Sequence, residues 1–209
     1  MSDAPIDIGP VDLVEEPDAE PPRSPSRVRR ILLAGLLVAA VGGLGTLGWT
    51  AWQITSQKDA KLAAPASVGS LRLDNGEDAK STADYLQTAL AAKVDLDETM
   101  AGVYKDSTDA SKDVLLFGGT ALIWTPENDL DAAFDLISDN SGSVNGLHEV
   151  DAGSLGGTMK CGTTKTDDGD LAVCGWADHG SLALGMFTNR TPAGSAALFR
   201  QLRDASESR

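Results

Sequence analysis

Residues 31–54 (ILLAGLLVAAVGGLGTLGWTAWQI) form a mainly apolar run without a single charge, and beyond it apolar positions recur in short strand-like and helix-like patterns. The uncharged run predicts a single membrane-spanning helix. At about 1.5 Å per residue it reaches roughly 36 Å, enough to cross a hydrocarbon core of about 30 Å. The later patterns predict a folded domain. Residues 68–73 read as a short strand, ended by the turn signal Asp74-Asn75-Gly76. Residues 79–93 read as a helix, with Ala83, Leu86, Leu90 and Val94 along one face. Residues 100–104 and 114–124 are rich in strand formers, and Gly118-Gly119 predicts a bulge or bend in the second run.

Thr125-Pro126 opens another helix, with Thr125 as cap and Pro126 in the first turn. That helix runs to about Ser138 through Leu130, Ala133, Phe134 and Ile137, and Asn140-Ser141-Gly142 breaks it. A strand is expected over 144–150. Thr191-Pro192 repeats the opening signal for a last helix. Ala196, Phe199, Leu202 and Ala205 are expected on its buried face, with Arg200 and Arg203 outside it. The order β-α-β-β-α-β-β-β-α predicts an α+β fold, a mainly antiparallel sheet with helices on one face. A ferredoxin-like split β-α-β arrangement is its simplest form.

One hairpin is specified down to its register. Residues 156–165 and 170–176 flank the turn Thr166-Asp167-Asp168-Gly169, whose Asp and Gly residues suit a tight reversal. Setting Lys165 opposite Asp170 brings Cys161 opposite Cys174 and Met159 opposite Trp176. Facing residues of an antiparallel pair are close enough for a disulfide to bridge. Twelve residues separate the two cysteines, so a redox-active Cys-x-x-Cys pair is excluded and a structural bridge is expected. Closing a loop of about 14 residues contributes on the order of 3 kcal/mol in the chain-entropy picture.

Charge gives the apolar run its direction. Arg23, Arg27, Arg29 and Arg30 precede it, whereas Lys58, Lys61 and Asp59 follow, so the N-terminus is expected in the cytoplasm. Trp49 and Trp52 fall where an outer interfacial belt would lie. The expected organisation is a disordered cytoplasmic tail (1–30), a transmembrane helix (31–54), a polar stalk (55–67) and an extracytoplasmic domain (68–206). The tail is acidic and Pro-rich and lacks apolar periodicity. The run is too long for a cleaved signal peptide, so an uncleaved plasma-membrane anchor is expected. Gly35, Ala39 and Gly43 make a small-residue stripe that would admit a weak homodimer. After residue 54 there are 24 acidic and 13 basic side chains, a balance that argues against nucleic acid and against anionic lipid headgroups as partners.

The segments Gly153-Ser154-Leu155-Gly156-Gly157, Met159-Lys160-Cys161-Gly162 and Val173-Cys174-Gly175-Trp176-Ala177-Asp178 precede a strand bearing Gly185 and a helix ending in Leu202-Arg203. Together they resemble a group of uncharacterised single-pass membrane proteins of actinobacteria, which share acidic Pro-rich tails and a Cys…Cys-x-Trp-Ala-Asp signature. The likeness covers the anchor and roughly residues 145–205. It implies an envelope-facing domain and brings no activity or functional residue with it.

Catalytic chemistry is weakly represented. His148 and His179 belong to different strands and offer no metal-ligand spacing. Ser181 near His179 and Asp178 has the residue types of a triad, but strand neighbours point to opposite faces. No nucleophile elbow or phosphate loop occurs. The turn Asp167-Asp168-Gly169-Asp170 lacks the spaced ligands of a calcium loop. No cofactor, metal site or catalytic residue is therefore expected. The sequence favours a membrane-anchored, non-catalytic binding module of the cell envelope. The alternatives are a transmembrane sensor that signals through residues 1–30, and an envelope hydrolase using Asp178, Asp151 and Glu149.

Overall fold

The computed structural model describes residues 48–209 apart from 93, 142, 167 and 168, together with Ile31, Gly35, Leu36 and Gly43. The expected tail, its four arginines, most of the spanning segment, Ala39 of the small-residue stripe and the acidic turn at Asp167-Asp168 lie outside these residues. Among the described residues no helix is long and apolar enough to cross a membrane. Residues 47–209 make up one unit.

A helix over 48–57 (α1) leads into that unit, with Trp49 and Trp52 exposed and their rings 5.2 Å apart. The strands are β1 (Lys61–Leu62), β2 (Ser67–Val68), β3 (Leu71–Leu73), β4 (Glu98–Asp106), β5 (Val114–Thr120), β6 (Asn145–Glu149), β7 (Thr158–Thr166), β8 (Gly169–Ala177), β9 (Ser181–Phe187) and β10 (Glu207–Ser208). The remaining helices are α2 (Glu77–Ala91), α3 (Pro126–Ser141) and α4 (Pro192–Ser206). Eight strands form one sheet in the order β2-β3-β4-β5-β9-β8-β7-β6, and every neighbouring pair is antiparallel. Two meanders thus approach from opposite edges and meet at β5 and β9.

The α+β class and the antiparallel sheet are as expected, but the ferredoxin-like arrangement is corrected. Hairpins join β4 to β5, β7 to β8 and β8 to β9, and each sets its strands side by side. No position is left for the parallel neighbours that a split β-α-β unit requires. The bulge expected at Gly118-Gly119 is absent too. Pairing of β4 with β5 is continuous from Glu98↔Thr120 to Tyr104↔Val114. Gly118 is small for a different reason: a Cβ there would meet the Leu182 carbonyl at 2.5 Å and the Ala183 Cα at 2.8 Å.

Helices cover both faces of the sheet, not one. On β8, Ala172, Cys174 and Trp176 join a core that includes Phe199 and Leu202 of α4. Their neighbours Val173 and Ala177 join a second core with Leu90 of α2 and Leu130, Ala133 and Phe134 of α3. From Leu171 to Ala177 β8 carries no polar side chain and so has no solvent face, and both sides require cover. The cysteines pair as the register demanded: Cys161 and Cys174 are disulfide-bonded, with Cα atoms 4.1 Å apart and neither residue exposed.

Residues 55–67 are built into the fold where a stalk was expected. Residues 55–57 complete α1, Lys61–Leu62 pairs with Glu207–Ser208, and Ser67–Val68 opens the large sheet. Gln57 is buried at this junction. Its side chain accepts from the His179 amide at 3.1 Å and donates to the Leu155 carbonyl at 3.4 Å.

Candidate functional site

Two clusters of charged side chains stand out, one sealed and one open. The sealed cluster forms where the β8–β9 turn meets the end of α4. Thr191 caps α4, accepting from the Gly194 amide at 3.2 Å, and the helix then buries Ser195, Phe199, Leu202, Arg203 and Ser206. These positions follow the helical period, so Arg203 is carried inward beside Leu202. This corrects the expectation that Arg203 lies outside the buried face. Ala205, expected inside, is exposed.

Arg203 is fully enclosed, and its donors are spread over four partners, the weakest being the Ala152 carbonyl at 3.4 Å from Nη1. Nη2 donates to Asp178 Oδ2 at 2.6 Å, Nε to Glu207 Oε2 at 2.9 Å, and Nη1 to the Gly156 carbonyl at 2.7 Å. Its guanidinium carbon lies 5.6 Å from the Trp176 ring centroid, within cation–π range. Arg209 adds a second cation, bonded to Asp178 Oδ2 at 2.6 Å and to Glu207 Oε1 at 2.8 Å. Asp178 Oδ1 accepts from the Gly180 and Ser181 amides, each at 2.8 Å. Ser181 Oγ accepts from Trp176 Nε1 at 3.1 Å and donates to Glu207 Oε2 at 3.3 Å. Two carboxyl groups thus face two guanidinium groups. Burial pushes the Glu207 carboxyl up from its ordinary value, and the Asp178 charge adds to the rise against the pull of Arg203 and Arg209.

This cluster is a lock. Asp178 has four donors on its two oxygens and no exposed surface, so it cannot also take a proton from a substrate. The residue types of a triad are adjacent here without acting together, because the His179 ring turns to the Ile123 carbonyl, 2.8 Å from Nδ1. Asp151, a second carboxylate considered from sequence, pairs with Arg200 on the surface. The third, Glu149, belongs to the open cluster. Asp178 and Asp151 thus keep separate partners, and the three carboxylates do not converge on one site.

The open cluster lies between α3 and the sheet edge at β6. It is a depression of about 500 Å³ lined by Asp131, Asp135, Leu147, His148, Glu149 and Lys160. Every residue of β6 is exposed, and its pairing with β7 shifts between Asn145 and His148. Lys160 reaches across to α3, 2.7 Å from Asp131 Oδ1 and 3.4 Å from Glu127 Oε1. Burial lowers its proton affinity, but the Asp131 bond and the charges of Asp131 and Glu127 outweigh that and leave it raised. His148 Nδ1 lies 2.9 Å from the Gly146 carbonyl. Acids outnumber bases on the lining, and Leu147 adds an apolar patch. Among the described residues no group of three or more His, Cys, Asp or Glu side chains is arranged to hold a metal ion. Sequence reasoning named His148 and Glu149 but not the depression, because Asp131 and Asp135 belong to a helix paired with β6 only through the tertiary fold. No family model matches the chain, and neither the curated proteins nor the solved structures yield a match.

Proposed function

We propose that this chain is a membrane-tethered, extracytoplasmic binding module of the cell envelope, seated in the plasma membrane through residues 31–54, with its recognition surface at the open depression beside β6. The observation that carries the reading is the contrast between the two clusters. The carboxylate with the most elaborate surroundings, Asp178, is saturated and sealed. The accessible one holds an exposed strand edge, a leucine and an acid-rich rim. Recognition needs accessible polar groups beside apolar surface, and the depression supplies both. The arginine-flanked apolar run, the buried disulfide and the likeness to envelope-facing actinobacterial proteins fit the same placement.

The test is a photo-crosslinking residue at Leu147 of the full chain in intact cells, compared with one at Thr82 on exposed α2. Capture of a discrete species at 147 and not at 82 is expected. The same species at both positions, or none at 147, contradicts the proposed surface.

A further inference from the structure

The segment between β5 and α3 carries apolar side chains that the fold leaves uncovered. Ile123 is buried, while its neighbours Leu122 and Trp124 are 49% and 68% exposed. Backbone bonds fix this wedge in place. The Ala121 amide donates to the Gly180 carbonyl at 3.2 Å, and the Ile123 amide donates to the His179 carbonyl at 3.1 Å. The same two-residue turn receives the end of α1. The His179 amide donates to Gln57 Oε1 at 3.1 Å, and Gly180 packs so close to Gln57 that a Cβ there would meet Gln57 backbone. Leu122 and Trp124 therefore stand beside the point where α1 enters the domain.

The distance along α1 is short. The apolar run ends at Ile54, three residues before Gln57, a helical rise of about 4.5 Å. Residues 55–57 continue the helix, so no flexible stalk separates the run from the domain. The polar layer on each side of a hydrocarbon core is of the order of 5–7 Å deep. Trp favours that layer, where an amphipathic ring is wetted at one end only. Trp49 and Trp52 on α1 are exposed in the same way.

We propose that Leu122 and Trp124 form a second membrane contact, a wedge that enters the interfacial layer of the bilayer holding α1 and fixes how the domain stands on it. This inference rests on the tether reading. With one attachment the domain would be free to tilt together with α1. A second contact beside the helix end removes that freedom and holds the depression at β6 in one orientation relative to the membrane.

The experiment uses the full chain carrying Trp49→Phe and Trp52→Phe, which leaves Trp124 and the fully buried Trp176 as emitters. It is reconstituted in vesicles of phosphatidylcholine and phosphatidylglycerol, with or without lipids brominated near the headgroup. The expected result is loss of most Trp124 emission in brominated vesicles, a quenched component that disappears when Trp124→Phe is added, with Trp176 unaffected. Unquenched Trp124 in a chain that stays with the vesicles through a carbonate wash overturns the wedge and leaves the tether standing. Shielded emission without bromine quenching assigns the wedge to a second copy of the chain and also overturns it. A chain that washes off the vesicles overturns the tether and the wedge together.

Discussion

Arg203 shows how a single residue can be misread from its type and then explained by its spacing. Charged residues on a helix are usually solvated, so Arg203 is expected outside. Phe199, Leu202, Arg203 and Ser206 nevertheless stand at i, i+3, i+4 and i+7, the face that a helix of 3.6 residues per turn buries. A three-residue step through Ala196, Phe199, Leu202 and Ala205 drifts off that face. Its position relative to Glu207 was a further signal, since residues four apart on a helix meet. Replacing Arg203 by Met leaves Asp178 and Glu207 buried with fewer partners. The expected cost is about 3–5 kcal/mol, or roughly 6–20 °C in melting temperature for a domain of this size. Arg203→Lys should restore only part of it, because one ammonium cannot reach Asp178, Glu207 and the Gly156 carbonyl together. Melting of the full chain in detergent checks both variants.

Glu207 makes the same lock sensitive to pH, with a definite sign. Its carboxyl is raised in the folded chain from an ordinary value of 4.5, so between that pH and the raised value the folded chain binds more protons than the unfolded one. Stability from this group is therefore greatest below pH 4.5. It declines as pH rises through the folded value, and levels off above it. Glu207→Gln stays neutral throughout and should lack that decline. Unfolding titrations at a series of pH values should show the parent losing stability relative to Glu207→Gln as pH rises from acid to neutral. A constant difference contradicts the buried, proton-retaining carboxyl.

Among the elements, the β7–β8 hairpin was the most legible. Its turn chemistry set a register, and that register alone brought two cysteines face to face. Both cysteines are buried, so reductant should act only when the hairpin opens, and reduction under native conditions should be slow. Cys161→Ala/Cys174→Ala should lower stability by up to about 3 kcal/mol, read as a lower denaturation midpoint with the cold fold unchanged. Equal midpoints for parent and variant contradict a stabilising bridge. The sidedness of the helices was harder to read, although the signal was present. In β8 and β9 apolar residues follow one another without alternation, the mark of strands covered on both faces. Gly175 shows how closely α3 packs there: a Cβ would lie 2.7 Å from Leu130 Cδ1 and 2.9 Å from Phe134 Cζ. Gly175→Val should therefore cost about 1–3 kcal/mol by overpacking, measurable by the same denaturation.

For the whole molecule, local pattern supplied part of the order of elements: it placed three strands between α3 and α4 where the fold has four, and it missed β1 and β10. The sheet closes between β5 and β9, strands far apart in the chain that carry no mutual signal in sequence. The depression at β6 likewise depends on α3 returning to the far edge of the sheet, which no spacing announces. Residues 55–67 looked like a stalk because the two strands within them are two residues long, too short for periodicity to register. Their partners lie more than a hundred residues away at β10 for one strand, and in the adjacent hairpin for the other. The consequence for the proposed tether is direct, since a domain that begins at the end of α1 would be held close to whatever surface α1 is seated in.

The central claim is that residues after the apolar run face an oxidising space outside the cell. The most direct measurement is the thiol state of Cys161 and Cys174 in living cells, trapped by acid, unfolded and treated with a heavy maleimide. The account predicts no mass shift unless the chain is first reduced, and a shift of two tags after reduction. Two tags without reduction would place the domain in a reducing compartment and contradict the claim.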